Sequence, residues 1–298
     1  MSLAIGIDIG GTQIKAAAFS RAGVLLHRCT AETGDAPGIS PPQFAMNARR
    51  LLDELESQSD GRANAVGLSA PGLARADGRA IGWMPGRMHG LEGFDWSAWL
   101  GREAPVLNDA HAALLGEVWQ GAARGLRHAI LLTIGTGVGG AVWADGRLLR
   151  GAIGRAGHFG HLCLDPFAPP TITGTPGGLE DWIGNHNITQ RTGGRFPTTH
   201  QLVAAYEAGD ALAAEVWLKS IRALGCAITS LVNVLDPEAV VIGGGIACAG
   251  RSLFDPLARV LDEMEWRPGG HRIRVLPAEL GEWAGTYGAA WHAIGLST

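Results

Sequence analysis

Two stretches of this chain decide its fold, AIGIDIGGTQIKAAAF at residues 4–19 and AILLTIGTGVGGAVW at residues 129–143. Each reads as an apolar strand, a turn rich in Gly and Thr, and a second strand. Aligned on their turns, the matched pairs are Ile5 with Ile130, Ile9 with Ile134, and Gly10 with Gly135. So distant a repeat predicts two similar halves rather than a solenoid, with a cleft between their hairpin turns. The alternative is a coincidence between two Gly-rich hairpins.

Composition limits the class of protein. A chain of 298 residues has room for two domains, and 46 % hydrophobic with 17 % charged residues is an ordinary globular composition. The net charge of −4 argues against nucleic acid as a partner, because phosphate neutralisation needs a basic face. No secretory signal is evident, and the longest uncharged run, 129–144, is interrupted by Gly and Thr. We therefore expect a cytoplasmic protein that makes no membrane contact.

The cysteines and the hydrophobic periodicity predict little beyond ordinary local structure. Four widely spaced cysteines without a C-x-x-C pair frame neither a disulfide scaffold nor a zinc cage. Periodicity and breakers predict a helix over 44–55, strands at 65–68 and 106–107, a helix over 112–120, a long helix from an Asp210 N-cap to Leu235, and a strand at 239–242.

The first hairpin turn, Asp8-Ile9-Gly10-Gly11-Thr12, has the groups that bind phosphate. It lies between two strands, which excludes the dinucleotide fingerprint and the P-loop, since both need a helix after the glycines. Unpaired N–H groups and a hydroxyl at such a turn suit phosphate oxygens, and the Asp8 carboxylate suits a hydrated Mg²⁺. The second turn, 135–140, offers the same donors without a carboxylate. Either turn alone reads as an ordinary tight turn, whereas the pair favours a metal–phosphate site.

The first stretch resembles the first phosphate motif of the sugar kinase, Hsp70 and actin superfamily. Within it, D-x-G-G-T-x-x-K is similar to the ROK family of repressors, uncharacterised reading frames and sugar kinases. Further similar motifs follow in order: the Pro-Gly turn at 68–72, VLNDAHAALLGE from Val106, TIGTGVGGAVWADGRLLRG from Thr133, VVIGGGI from Val240, and GEWAGTYGAAW from Gly281.

The resemblance implies an α/β fold of duplicated ribonuclease-H-like (actin-like ATPase) domains with a nucleotide cleft between them. It places a smaller domain at 1–109 plus 282–298 and a larger one at 110–281. It implies ATP-dependent phosphorylation of a sugar or polyol hydroxyl, with ATP and Mg²⁺ as cofactors, and a homodimer.

The resemblance also implies the site residues. Asp109 matches the general base, and Asn108 matches a residue that binds sugar hydroxyls; from the residues alone, both read equally as a helix N-cap. The expected nucleotide and magnesium residues are Asp8, Gly10, Gly11, Thr12, Thr136, Gly137, Gly243, Gly244 and Gly245, with Mg²⁺ near Asp8. The expected acceptor residues are Asn108, His158, His161 and Glu180.

The chain departs from the family at its zinc motif. The family has G-E-x-G-H followed by C-x-C-G-x-x-G-C-x-E, in which one His and three Cys hold a structural zinc. Here the two segments read GHFGH at 157–161 and TITGTPGGLE at 171–180, so Thr171, Thr173 and Gly178 replace the cysteines. We therefore predict no structural zinc. A makeshift metal site of His158, His161, Cys163 and Asp165 is the alternative.

The residues expected to bind the acceptor sugar also differ from the family pattern. His158 replaces a sugar-binding Glu, and neutral imidazole accepts one hydrogen bond and donates one, where a carboxylate accepts two. Gly86 and His111 stand where the family has Asn. These changes predict an acceptor other than glucose, such as an amino sugar, an N-acetylated sugar, a ketose or a polyol.

Two rival functions belong to other classes of protein. A DNA-binding repressor is not expected, because the charge is acidic and the first phosphate motif begins near Ile5. A catalytically silent sugar or nucleotide sensor fits the altered acceptor residues. The presence of Asp109, Asp8 and both Gly–Thr turns favours the kinase, since a silent binder needs no base.

Overall fold

A computed structural model describes residues 3–35, 38, 40–59 and 61–296, and the chain divides into two compact units. Unit 1 comprises the chain up to Gly125, the segment Leu148–Ala156 and the chain from Glu279 onwards. Unit 2 comprises Leu126–Arg147 and Gly157–Ala278. This division lies further along the chain than the expected boundary at Asp109, because the helix that begins there packs within unit 1.

Unit 1 is built on a five-stranded sheet in the order β3-β2-β1-β4-β7. Strands β1 (Leu3–Ile9), β2 (Gln13–Ser20) and β3 (Leu25–Glu32) form antiparallel hairpins. Strands β4 (Ala65–Ala70) and β7 (Val106–Asn108) continue the sheet parallel to β1. A short antiparallel ribbon, β5 (Leu73–Ala74) with β6 (Ile81–Trp83), lies between them in the chain. The carboxyl ends of β1, β4 and β7 therefore meet at one edge of the sheet.

The sequence of β1 explains how the faces of this sheet are covered. Its isoleucines at positions 5, 7 and 9 share one hydrophobic cluster with helix α1 (Gln43–Gln58), while Ala4 belongs to a separate cluster with α9 (Ala284–Leu296). Alternate strand residues point to opposite faces, so Gly6 faces α9 too. A Cβ on Gly6 would lie 1.8 Å from the carbonyl oxygen of Thr286. Glycine is thus required for this close helix–strand contact.

Two further helices complete unit 1, α2 (Trp96–Leu100) and α3 (Asp109–Gln120). Helix α3 packs against α9, again at a glycine: a Cβ on Gly288 would lie 1.7 Å from the carbonyl oxygen of Ala112. This contact assigns α3 to unit 1.

Unit 2 repeats the arrangement of unit 1, with strands in the order β10-β9-β8-β11-β12. Strands β8 (Ala129–Ile134) and β9 (Val138–Ala144) form the antiparallel hairpin that matches β1 and β2, and β10 (Arg147–Leu148) extends it. Strands β11 (Ala239–Gly243) and β12 (Arg274–Pro277) run parallel to β8. The internal repeat predicted from the sequence is confirmed by these two sheets.

The helices of unit 2 are α4 (Leu179–Ile183), α5 (Ile188–Arg191), α6 (Thr199–Glu207), α7 (Ala211–Leu235) and α8 (Arg251–Met264). Asp210 caps α7 as predicted, its carboxylate accepting a 2.9 Å hydrogen bond from the amide of Ala213. Among the described residues, α7 is the one helix long and apolar enough to span a membrane. Ten of its residues are buried in unit 2, as in the core helix of a soluble protein.

Candidate functional site

Two carboxylates lie at the carboxyl edge of the parallel strands in unit 1. Asp8, near the end of β1, pairs in register with Ser69 of β4, whose hydroxyl donates a 2.6 Å hydrogen bond to Oδ1 of Asp8. Asp109 follows β7 directly and is the first residue of α3. The charge on Asp109 raises the pKa of Asp8, which shows that the two carboxylates act on each other. The topology thus brings together two residues that are a hundred positions apart.

Both carboxyl groups are unusually easy to protonate. Burial raises the pKa of Asp8 from 3.8 to about 6, with repulsion by Asp109 adding to it, while the Ser69 hydrogen bond and the Lys15 charge oppose the shift. Burial of the carboxyl group also raises the pKa of Asp109, against hydrogen bonds from Ala110 and Asn108 and the charge of Arg87. At both carboxyl groups the effect of burial outweighs the interactions that favour the charged form, and this suits a group that binds a cation or accepts a proton.

Asn108 is the N-cap of α3. Its Oδ1 accepts hydrogen bonds from the amides of Ala110 and His111 at 3.0 and 3.2 Å, and its Nδ2 donates to the carbonyl of Gly72 at 3.0 Å. The helix therefore begins at Asp109, three residues before the predicted start. This capping role is the alternative that the sequence left open, and a hydrogen bond from the Asn108 side chain also lowers the pKa of Asp109.

The turn between β1 and β2 exposes free donors beside these carboxylates. The amide of Gly10 donates to Gln13 and the carbonyl of Gly10 accepts from the Thr33 hydroxyl at 2.7 Å, which holds the turn in shape. The amides of Gly11 and Thr12 make no hydrogen bond within the described part of the chain, and both residues are exposed. The turn has the open N–H groups that anion binding requires.

Sequence reasoning missed a cation at this turn, Arg87. A Cβ on Gly11 would lie 3.3 Å from Nη2 of Arg87, and the Arg87 charge lowers the pKa of Asp109. Arg87 therefore lies close to both the phosphate-binding turn and the candidate base. The one signal for it in the sequence is a basic residue in the Gly-rich loop after Pro85, next to Gly86.

The first turn of α9 closes the other side of Asp8. A Cβ on Gly285 would lie 2.7–2.9 Å from the Asp8 carboxylate atoms, so no larger residue fits there. Just before the helix, Glu282 pairs with Lys15 at 3.1 Å. The motif similar to the family's C-terminal helix is thus explained by its contact with Asp8.

In unit 2, backbone hydrogen bonds from the segment after α4 hold the β8–β9 turn in place. The carbonyl of Gly135 accepts a hydrogen bond from the amide of Asn185, and that of Thr136 accepts from the amide of His186, both at 2.9 Å. Arg191 holds this segment through hydrogen bonds to the carbonyls of Trp182 and Gly184. The Thr136 hydroxyl makes no hydrogen bond to any residue that the structure describes.

A cavity of about 640 Å³ opens beside this turn within unit 2. Two of the predicted nucleotide residues, Thr136 and Gly245, border it. Five polar residues that were not anticipated from the sequence also border the cavity. They are Asn185 in the segment after α4, and Thr198, Thr199, His200 and Glu207 in and just before α6. The volume is typical of a small-molecule site.

The three glycines after β11 have different surroundings. Gly244 has φ +84°, and a Cβ there would lie 2.4 Å from the carbonyl oxygen of Ile134. Gly243 would place a Cβ 3.1 Å from Ala278, whereas nothing lies within 4 Å of such an atom on Gly245. The first two therefore serve packing, and Gly245 is the one open to a ligand.

The remaining acceptor residues group around Glu180 at the start of α4. Its Oε2 lies 2.7 Å from the position of a Cβ on Gly137, and its Oε1 lies 3.6 Å from Nδ1 of His161. His158 precedes the short turn Phe159–His161 in the same segment. Unit 2 thus brings Gly137, His161 and Glu180 together.

The residues that match the family's zinc ligands do not fit a zinc ion. Thr173 Oγ1 lies 3.0 Å from Oγ1 of Thr171 and 3.3 Å from Nδ1 of His161, so hydroxyl hydrogen bonds replace the metal–thiolate bonds. A Cβ on Gly178 would lie 2.7 Å from Cγ2 of Thr171. Within the described ranges, no three His, Cys, Asp or Glu side chains cluster in a way that could hold a metal.

Unit 1 therefore presents two carboxylates, an arginine and open amides at one sheet edge. Unit 2 presents a second open turn and a polar cavity. Groups of these kinds serve phosphoryl transfer in nucleotide-dependent enzymes, and the two similar sheets are those of an actin-like ATPase fold.

Comparisons with known proteins identify the family. The ROK family model matches residues 4–295. Glucokinase of Halalkalibacterium halodurans is 32 % identical over 96 % of this chain and 93 % of its own. N-acetylmannosamine kinase of Escherichia coli O7:K1 is 30 % identical over 98 % of both chains. A ROK family glucokinase from Streptomyces griseus, solved with glucose and AMPPNP, superposes with TM-score 0.81 at 25 % identity, over 99 % of this chain and 100 % of that one. The chain belongs to the ROK family, as its motifs predicted.

Proposed function

We propose that this protein transfers the γ-phosphate of ATP to a hydroxyl of a sugar or related polyol, with Asp109 as the general base. The curated relatives over nearly the whole chain are sugar kinases, which confirms the prediction of an ATP-dependent carbohydrate kinase. The observation that carries the residue assignment is the meeting of Asp8, Ser69 and Asp109 beside the Gly10–Thr12 turn.

Asp109 would accept the proton of the acceptor hydroxyl. As the hydroxyl oxygen forms its bond to the γ-phosphorus of ATP, the bond between that phosphorus and the oxygen of the leaving ADP breaks. The raised pKa of Asp109 supports this role, because a base is more effective when its pKa lies nearer the working pH. The next residue holds the carboxylate of Asp109 in place, because Oδ1 of Asp109 accepts a 2.8 Å hydrogen bond from the backbone amide of Ala110. The other carboxylate oxygen remains for the substrate.

Asp8 is the residue we assign to Mg²⁺. No cation among the described residues pairs with its carboxylate at hydrogen-bond distance, and a hard divalent ion prefers carboxylate oxygen. When bound with ATP, Mg²⁺ would neutralise charge on the phosphates. The Ser69 hydroxyl keeps Asp8 oriented and favours its ionised form.

The nucleotide would be held by groups of both repeats. The amides of Gly11 and Thr12 and the Arg87 guanidinium suit phosphate oxygens in unit 1. In unit 2, the Thr136 hydroxyl suits phosphate, and the cavity bordered by Gly245 suits the nucleoside. Gly10, Gly137, Gly243 and Gly244 support these turns through backbone geometry and close packing.

The acceptor would contact Asn108, His158, His161 and Glu180. His158 in place of Glu changes one carboxylate into an imidazole, so the pattern of donors and acceptors offered to a sugar differs from the family's. The relatives include kinases for glucose and for an N-acetylated sugar. We retain the prediction of an acceptor other than glucose, together with those of a homodimer, a cytoplasmic location and no structural zinc.

A silent sensor of the same fold is the alternative function. The experiment that separates it from a kinase is ADP release from Mg-ATP across a panel of hexoses, amino sugars, N-acetyl sugars and polyols. We expect one acceptor to give turnover that Asp109→Asn lowers by about 10²–10⁴-fold. Binding of Mg-AMPPNP should change little in that variant, and the exposed Asp77→Asn serves as control. Wild-type turnover in Asp109→Asn would overturn the base assignment; absence of turnover with nucleotide binding intact would support the sensor.

A further inference from the structure

Unit 1 contains a second cavity, away from the two carboxylates. Its volume is about 590 Å³, and it is bordered by the turn before β6, by α2, by residues 102–105, by Arg150 and by the last turns of α9. Three arginines reach it, Arg79, Arg102 and Arg150, together with His292 of α9. None of the groups assigned to phosphoryl transfer borders it.

Arg150 differs from the other two arginines because its side chain has no ion-pair partner among the residues that the structure describes. Arg79 pairs with Asp95 at 2.7 Å, and Arg102 pairs with Glu56 at 2.6 Å. Nη2 of Arg150 is buried and makes no hydrogen bond, and no acidic group within the described ranges pairs with this side chain. A guanidinium partly removed from water without an acceptor is destabilising, so such a group points to a missing anion.

The neighbours of Arg150 leave its charge uncompensated. Burial, together with the Arg150 charge, lowers the pKa of His292 to about 4, so His292 is neutral near pH 7 and can still donate a hydrogen bond. Two acidic residues border the cavity: Asp77, which pairs with Arg75 at 2.8 Å, and Glu103, which is exposed. Neither forms an ion pair with Arg150.

We propose that this cavity binds a small molecule through an oxyanion, a phosphate or carboxylate group held by Arg150 with His292 beside it. A guanidinium donates charge-assisted hydrogen bonds to both oxyanions, and the part of Arg150 that borders the cavity would make them. The volume is that of an ordinary metabolite site.

The cavity is joined to the candidate active site by one helix. Gly285 in the first turn of α9 contacts Asp8, and His292 lies seven residues further along, roughly 10 Å at the rise of an α-helix. A ligand on His292 would therefore contact the same rigid element that supports Asp8. Its binding can be measured without turnover, so failure of the kinase assignment and failure of this site are distinguishable.

The first test is the thermal midpoint of unfolding, Tm, with and without inorganic phosphate, in saturating Mg-AMPPNP and at constant ionic strength. We expect wild-type Tm to rise by roughly 5 °C or more at phosphate about 100-fold above Kd. Arg150→Gln should lose this rise while its Tm without phosphate equals or exceeds that of wild type, because an unpaired charge has been removed. Arg124→Gln, which removes an exposed arginine of the same unit, should behave as wild type.

Two results would overturn the proposal. One is a full phosphate response in Arg150→Gln; the other is a lower Tm of that variant without phosphate, which would make Arg150 a structural residue. Titration of the wild type with phosphate and with acetate, followed through the His292 ring resonances, distinguishes the two oxyanions. Unmoved His292 resonances with both ions would also contradict the site.

Discussion

The hydroxyl of Ser69 donates a 2.6 Å hydrogen bond to Asp8 across two parallel strands, and both residues lie in register at the edge where Asp109 begins its helix. This bond partly offsets the burial that raises the pKa of Asp8 to about 6. It therefore keeps a larger fraction of Asp8 ionised near neutral pH, which is the form that Mg²⁺ binds.

Ser69→Ala should move the acid limb of the pH profile of kcat/KM to higher pH. The variant loses the hydrogen bond that lowers the pKa of Asp8, so this pKa should rise above about 6 and more Mg²⁺ should be needed near neutral pH. Rates measured against pH and Mg²⁺ concentration check this. Ser230→Ala, on the exposed side of α7, is the control, and an unchanged acid limb in Ser69→Ala would contradict the role given to this bond.

Asp8→Asn should stabilise the metal-free protein at high pH while abolishing activity. Because the folded pKa of about 6 lies above the ordinary 3.8, the folded state binds more protons than the unfolded state between these values. The free energy of unfolding of the wild type therefore falls as pH rises through this window. Urea unfolding should show similar stability of both proteins at pH ~4 and a more stable variant at pH ~8. Equal stability of the variant and wild type at both pH values would count against a buried, uncompensated Asp8, and the exposed Asp53→Asn is the control.

Arg87→Gln should lower kcat by about 10²-fold, the loss typical when one group that stabilises transition-state charge is removed. The same change removes a charge that lowers the pKa of Asp109, so the limb of the pH profile that reports the base should move to higher pH. Steady-state kinetics against pH measure both effects. Arg21→Gln removes an exposed arginine of the same unit and should retain wild-type kinetics. A fall in stability without either kinetic change would instead assign Arg87 to structure.

Gly285→Ala should reduce both activity and stability, because its Cβ would lie 2.7 Å from Cγ of Asp8. Gly295 lies in the same helix, and a Cβ there would have no atom of a described residue within 4 Å. Gly295→Ala should therefore keep activity and gain up to about 1 kcal/mol in stability, from helix propensity alone. The pair separates contact with Asp8 from the general effect of glycine in a helix. Equal activity in both variants would mean that α9 tolerates movement at Asp8.

His158→Glu should shift acceptor preference towards glucose, because it restores the carboxylate at the position where the family binds sugar hydroxyls. One hydrogen bond to a charged group corresponds to roughly a tenfold change in kcat/KM. The measurement is the ratio of kcat/KM for glucose to that for the best acceptor of the wild type. His271→Glu introduces the same charge at an exposed site of unit 2 and should leave the ratio unchanged. An unchanged ratio in His158→Glu would remove His158 from the acceptor site.

The sequence by itself was sufficient for the parts of this protein that depend on local order along the chain. The repeat of strand, Gly–Thr turn and strand identified the duplicated halves, and alternating Ile and small residues in β1 already encoded its two faces. Asp210 identified the start of α7, and the motif order identified the family. Each strand, turn, cap or motif among these features consists of residues within a few positions of one another, so periodicity, turn chemistry and comparison along the chain are enough to read them.

The tertiary structure alone decided which distant residues meet. Ser69 and Asp8 pair only because β1 and β4 are neighbours in the sheet, and Gly285 reaches Asp8 only because α9 returns to unit 1 from the far end of the chain. The roles of Arg87 and Arg150 could not be read from the sequence, because they depend on which charged groups among the described residues lie near them in space. Burial and electrostatic interactions arise from packing between segments that are distant in the sequence. They determine the pKa values of Asp8 and Asp109, and they leave Arg150 without an ion-pair partner among the described residues. The order of residues along the chain contains neither result.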